Sequence, residues 1–434
     1  MLSRYVPWYV LYLDVHVGSK TMQKLESNLW RYRLYLALLF TPIFLPTLVL
    51  FWKQNGLDMF DVFLLQGLFA IAVVILEVPT GMVADQLGKR TSLLAGTALF
   101  TIGHIVYALG YSFLVFLLAE LIMALGLALV SGADSAFLYD TLQALDRKDE
   151  YTEVEGHARS WQMVSIAASN IIGGIVGSYS YRATVWLSII GPALAMILAF
   201  QFVEPKLAKS DSQENKALGS FREEWSKYWK LLLSALKFVR KHQLVRWYIL
   251  LFAMLGGSAT WLLWLYQPYM KATGLPVWAF GVAFALFNLW AALSSRFAHA
   301  VVRKLGDVGT FVIAMILQIG TLFVMAVWFH RLSFLLILGH QSVRGMLRPV
   351  LNERILRYTY EDRRATVLSL NSLGSRLFFA LTAPWIGMLS ARASLSQTLV
   401  VQGAGLSILV VLLVVLFRTI PSKYFQVKES VASD

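Results

Sequence analysis

Ionisable residues embedded in long apolar runs are the positions of this 434-residue sequence where chemistry could be done. A carboxylate, imidazole or guanidinium stripped of water is costly unless it is paired or faces a polar space, so each marks a place where the chain handles charge. The acids Glu77, Glu120 and Asp134 lie in the first half of the chain, and His340, Arg344, Arg348 and Arg376 lie in the second. At 100° per residue, Glu120, Ser131 and Asp134 share one helix face within about 40°, and Asp140 points the other way. That spacing predicts that Glu120 and Asp134 face a central cavity and that Asp140 serves elsewhere. His340, Arg344 and Arg348 recur every fourth residue as one stripe, with Gln341 beside it. A guanidinium stays protonated, so these arginines can hold a carboxylate or phosphate, or pair with acids across a cavity, but cannot carry a proton. A proton would ride on Glu77, Glu120, Asp134 or His340, with Asp134 and Glu77 the first candidates. Blander roles stand beside these. Glu77 could pair within its own half or accept backbone bonds near Pro79, Asp134 could bridge to Arg344 or Arg348 as a closing salt bridge, and His104 could simply pack. Trp261 is expected to line the cavity, and Tyr266 and Tyr269 to sit in an aromatic belt at the outer surface.

Other chemistries are excluded. The sequence has no Cys, hence no disulfide, thiolate metal site or cysteine nucleophile. It has no H-E-x-x-H helix and no G-x-S-x-G turn. Gly88-Lys-Arg-Thr91 lacks the first glycine and the preceding strand of a phosphate-binding loop. No metal, no cofactor and no enzymatic activity are expected.

The elements that must position these residues follow from composition. Hydrophobic residues make up 58% of the chain and charged ones 15%, against about a quarter charged in soluble domains. This is an all-α membrane protein by composition, with room for about twelve spans of about 20 residues. Apolar runs place them at 31–52, 60–83, 91–110, 112–140, 159–181 and 183–203, then at 245–267, 276–298, 309–329, 332–356, 366–390 and 396–418. The loops on one side hold Lys53, Arg182, Lys271, Arg331 and Arg392, whereas nearly all other loop charge is on the opposite side. The positive-inside rule makes that basic side cytoplasmic, with both termini there, and the cell (inner or plasma) membrane is the expected location. The net charge of +13 is therefore read as membrane-facing, not as a nucleic-acid signal.

The division of the chain is an N-terminal interfacial segment at 1–30, a six-helix bundle at 31–203, a basic amphipathic connector at 204–244, a second bundle at 245–418 and a tail at 419–434. Met22 is an alternative start. Leu-Gly recurs 218 residues apart, in Asp85-Gln-Leu-Gly88 and Arg303-Lys-Leu-Gly306, and His157-Ala-Arg159 is echoed by Arg364-Ala-Thr366. These repeats predict two pseudo-symmetric copies with a binding site at the midplane between them.

The loop after the second span reads Gly81-Met-Val-Ala-Asp85-Gln-Leu-Gly88-Lys89-Arg90, preceded by Glu77-Val-Pro-Thr, and Phe202-Val-Glu-Pro205 follows the sixth span. This resembles the signature G-x-x-x-D-[RK]-x-G-[RK]-[RK] of the major facilitator superfamily, with Gly81, Asp85, Gly88, Lys89 and Arg90 matching and Gln86 departing. Physically, Gly81 permits close helix approach, Gly88 can supply a positive φ, and the Asp85 carboxylate suits a helix N-terminus. The resemblance implies that Asp85 meets the start of span 11, near Thr366 to Ser369, and that Lys89 pairs with Asp140, a latch holding the cytoplasmic side closed between halves. Two other signatures are degraded: Ile122 stands where proton-driven exporters carry an arginine before Gly126, and Ser169-Asn-Ile-Ile-Gly173-Gly174 keeps the glycine pair without the proline. The implied function is secondary active transport of a small organic solute, anionic, zwitterionic or amphipathic, by alternating access in a proton-coupled monomer. The alternatives are efflux of lipophilic drugs or metabolites, and a transport-inactive sensor or scaffold of the same fold.

Overall fold

The structure, a computed structural model, describes residues 8–205 and 221–421, and no strand occurs among them. The expected interfacial residues before Trp8, the basic positions Lys206, Lys209 and Lys216 of the connector, and the tail beyond 421 lie outside the described residues.

Twelve spans are present as two six-helix bundles. Helix α1 (Trp8–Leu39) runs straight into the first span, so the segment placed at the interface is continuous with it from Trp8. Pro42 and Pro46 cannot continue a helix, and the span resumes as α2 (Leu48–Gln54). Helix α3 (Met59–Leu87) opens on a capping box in which Asp58 and Asp61 satisfy each other's backbone N–H. It stops at Gly88, whose φ of 93° only glycine adopts freely, and α4 (Lys89–Leu109) starts at the next residue. The fourth span breaks at Gly132 into α5 (Phe113–Ser131) and α6 (Asp134–Ala144). Helix α7 (Tyr151–Gly177) is the fifth span, and α8 (Tyr181–Leu187) with α9 (Ile190–Phe200) makes the sixth.

The second bundle follows the connector helix α10 (Phe221–Lys241). It comprises α11 (Gln243–Ala272), α12 (Val277–Val327), α13 (Ile337–Arg357), α14 (Arg364–Arg392) and α15 (Leu395–Arg418). Helix α12 carries two spans that turn at Gly306, with φ of 67°. Gly306 lies 218 residues after Gly88, so the Leu-Gly repeat marks one left-handed turn used in both bundles. Among the described residues seven helical segments, α5 with α6 and α8 with α9 counted as one each, are long and apolar enough to cross a bilayer. Since α12 crosses twice, the remaining four spans are the interrupted first one and the polar spans in α7, α13 and α14.

The bundles are joined at the end that carries the charge-poor loops. A Cβ at Gly174 would lie 2.5 Å from the Gly281 nitrogen and from the Trp278 oxygen, so α7 and α12 cross there backbone to backbone. Gly387 of α14 fits against Phe60 and Phe63 of α3 in the same way. The side chain of Gln267 in α11 accepts from Val49 N (2.8 Å) and donates to Leu45 O (2.9 Å), tying the second bundle to the first span. Trp52 and Trp264 pack across the seam at 5.6 Å.

Candidate functional site

At the basic end each bundle is braced internally. Lys89, the first residue after Gly88, forms an ion pair with Asp140. Both belong to the first bundle, so this pair ties α4 to α6. The N-terminus of α4 is capped by Glu204, whose carboxylate accepts from the backbone N–H of Lys89 (2.9 Å) and Arg90 (2.7 Å). Arg90 also donates to Phe200 O (2.7 Å). The second bundle repeats the brace with its signs exchanged. Asp307, the first residue after Gly306, accepts from Arg354 Nε (3.0 Å) and Nη2 (2.8 Å) at the far end of α13. Gly81 meets the break after α5: a Cβ on Gly132 would lie 3.4 Å from Gly81 Cα, whereas one on Gly81 itself would meet nothing within 4 Å. Asp85 stands in the last turn of α3, and its side chain lies outside the described residues.

The expected acidic face divides where the fourth span breaks. Asp134 opens α6 and bonds Arg159 Nη2 of α7 at 2.8 Å, within its own bundle and not to Arg344 or Arg348. Arg159 Nε donates to Glu155 (2.9 Å), which also accepts from Tyr32 (3.0 Å) and Ser135 (3.3 Å), so the carboxylate is held by a network. Glu120 is buried in α5 and accepts from Gln66 Nε2 (2.7 Å) and Tyr107 OH (3.1 Å), facing the spans in α3 and α4 rather than the space between bundles.

That space is lined chiefly by the second bundle. A cavity of about 500 Å³ has Phe252, Tyr266, Phe284 and Phe287 as its aromatic wall, with Asn288, Gln341, Arg344 and Arg348 among its polar groups. Pro42, Leu45 and Ile166 of the first bundle form the apolar side opposite. A second space of about 270 Å³, lined by Gln66, Phe69, Trp264 and Arg376, adjoins it through Thr260 and Ser375.

Arg344 is the cationic centre of the larger cavity. Its Nη1 donates to Gln341 Oε1 (3.1 Å) and its Nη2 to Asn288 Oδ1 (3.2 Å), both neutral amides. Gln341 is oriented in turn by donating to Tyr266 OH (3.2 Å). Among the described residues neither Arg344 nor Arg348 has a carboxylate partner. Arg376 does have one: its Nη1 lies 3.6 Å from Glu77 Oε2, an ion pair that crosses from α14 to α3, so Glu77 pairs with the other half and not within its own.

Three expectations are revised by burial. His340 does not share the stripe of Arg344 and Arg348. It is buried toward α12, with Nε2 2.6 Å from Thr321 Oγ1. Trp261 is buried against Phe378 and donates to Thr382 Oγ1 (2.8 Å), so the indole on the cavity wall is Trp264 instead. Tyr266 and Tyr269 form no outer belt: the first lines the cavity, and the second is fully buried with its OH bonded to Trp328 O (3.0 Å) and Ser333 (2.8 Å). The partners not singled out from sequence are Gln66, Glu155, Arg159, Glu204 and Asn288. Only Glu204 and Arg159 stood in segments the sequence flagged, Phe202-Val-Glu-Pro205 and His157-Ala-Arg159.

A family model described as Major Facilitator Superfamily matches residues 35–372. Among curated proteins, the chain is 23% identical over 176 residues to the quinolone resistance protein NorA of Staphylococcus aureus (strain Mu50 / ATCC 700699), a match covering 40% of this chain and 44% of that protein. It is 24% identical over 169 residues to the uncharacterized transporter BU466 of Buchnera aphidicola subsp. Acyrthosiphon pisum (strain APS), covering 39% of this chain and 42% of the relative. The chain thus matches less than half the length of these relatives. Among solved structures, a mutant of the nucleoside transporter NupG superposes with a TM-score of 0.76 at 13% identity, over 90% of this chain and 99% of that one. An inward-facing, unoccupied bacterial homologue of the human lysosomal transporter Spinster gives 0.70 at 16% identity, over 94% and 99%. At such identities these structures speak to the fold.

Proposed function

We propose, since this chain belongs to the Major Facilitator Superfamily, that it is a multi-pass secondary transporter moving a small amphipathic organic anion or zwitterion by alternating access. One observation carries the substrate class: Arg344 projects into an aromatic cavity between the bundles, held by neutral amides alone. A guanidinium fixed by two amides is oriented but not neutralised, and its remaining donors, exposed to the cavity, favour a carboxylate or phosphate. The Phe252, Phe284 and Phe287 walls suit an apolar body on that anion.

Orientation and coupling complete the reading. The charge-poor end faces outward and the basic end faces the cytoplasm of a plasma membrane. The contact of the bundles at the charge-poor end supports an inward-facing reading on this orientation, with Glu77 and Arg376 as the ion pair that crosses the seam. Protons are the coupling ion, carried by an acid whose partner changes as the bundles rock; Glu77, whose ion pair crosses the seam, is the first candidate, ahead of Asp134 and Glu120 in their bundle-internal bonds. The chain works as a monomer.

Transport in proteoliposomes under an imposed pH gradient tests this. Wild type is expected to move aromatic carboxylates, and Arg344→Gln to lower their kcat/KM by at least about tenfold, the effect of removing one charge-assisted bond. Glu77→Gln is expected to abolish the dependence on the gradient. Equal transport by wild type and Arg344→Gln would overturn the anion assignment. The second reading, export of lipophilic drugs, is favoured by the match to NorA. Under it, lipophilic cations move equally well and Arg344→Gln improves them.

A further inference from the structure

We propose that the connector helix α10 and the turn at 360–363 form a binding site for the phosphate-bearing headgroup of an anionic phospholipid. The site lies at the basic end of the second bundle, away from the central cavity, and is independent of the substrate assignment.

Helix α10 has six basic and two acidic residues among its 21. Ala235 is fully buried, and the Phe238 ring packs on His242 (5.5 Å) and Tyr360 (6.0 Å), which seats the helix on the bundle. Two rows remain on its outer surface. Trp229, Leu233 and Leu236 are 43%, 58% and 45% exposed and, at spacings of four and three, form one apolar stripe. Lys230, Lys237 and Lys241, at spacings of seven and four, form a basic row beside it. A helix with exposed apolar and basic rows side by side lies at the boundary between headgroups and acyl chains.

Under the basic row is a cavity of about 470 Å³, lined by Lys237, Lys241 and Arg363 with Ser234, Phe238 and Tyr360. His242 also lines it, but its Nδ1 accepts from Val245 N (3.3 Å), and burial lowers its pKa below the ordinary imidazole value. It therefore adds little charge near neutrality, and the cationic character comes from the three longer side chains. Glu361, in the same turn, is paired with Arg364 (3.0 Å), and Asp362 follows it in the sequence, which leaves three cations to one acid. Three cations converging on a cavity suit a phosphodiester, and the apolar stripe next to them supplies a surface for acyl chains, which a free anion would not need.

The test is native mass spectrometry of the full chain in detergent with phosphatidylglycerol, phosphatidylcholine or inorganic phosphate added. Wild type is expected to retain phosphatidylglycerol over phosphatidylcholine. The variant K237Q/K241Q/R363Q should lose at least about tenfold of that preference, whereas R240Q/R246Q/K304Q, with the same change in charge, should lose less than about twofold. Arg363→Gln alone reports on the same cavity with less risk to folding, which circular dichroism and elution volume check for every variant. Equal retention of the two lipids, equal losses in the two triple variants, or competition by millimolar phosphate would each overturn the proposal.

Discussion

Among single residues, the hydrogen-bond partner rather than the charge itself decided the outcome. Asp134 was legible as an unusual acid because it stands in an apolar run, but its partner was not, because Arg159 is 25 positions away on another helix. No helical wheel of the fourth span could register that span's break at Gly132. The stripe of His340, Arg344 and Arg348 failed for a related reason: a wheel assigns a face but not which neighbour occupies it, and Thr321 takes up the His340 ring. The energetics can be tested directly. Arg159→Ala leaves the largely buried Asp134 without its guanidinium, and is expected to destabilise the solubilised protein by about 2 kcal/mol in chemical or thermal denaturation. Adding Asp134→Asn should recover part of that loss, since residues in one network are not additive. Additive losses would mean that the pair contributes nothing of its own.

Among the helices, composition revealed the spans but not their joints. Apolar runs located the spans, the polar ones in α7, α13 and α14 among them, because a bilayer demands a similar length from each. The breaks at Pro42 and Gly132 depend on local backbone geometry and were invisible to hydropathy. The seam between bundles was equally hidden, although the retained pair Gly173-Gly174 was noted, since its meaning depends on Gly281 more than a hundred residues later. A side chain at Gly174 has no space, so Gly174→Val should force the charge-poor end apart. The chain has no native thiol, so Lys53→Cys and Lys271→Cys can be spin-labelled without background. Both positions lie a helical turn beyond the Val49 to Gln267 bond, and their distance distribution is expected to move outward by several ångström in the valine variant. An unchanged distribution would mean that the glycine contact does not hold the seam.

For the whole molecule, duplication is visible in the sequence as Leu-Gly and as the echo of His157-Ala-Arg159 in Arg364-Ala-Thr366, but the structure extends the first to a left-handed turn and a brace of exchanged sign, Lys89 with Asp140 and Asp307 with Arg354. Each brace ties the start of one span to the far end of the next within its own bundle. The expected orientation can be checked by modifying single cysteines from outside intact cells. Asn55→Cys should react with an impermeant maleimide and Lys237→Cys should not; the reverse pattern would invert the topology. The crossing of α7 over α12 has its own consequence for kinetics. Two bare backbones in contact have no interlocking teeth to disengage, so parting them forfeits shallow dispersion contacts and passes the two Gln267 bonds to water. At the glycines such a clasp parts without unthreading a side chain, so the resistance of the seam falls on Gln267 and on the contact of Trp52 with Trp264.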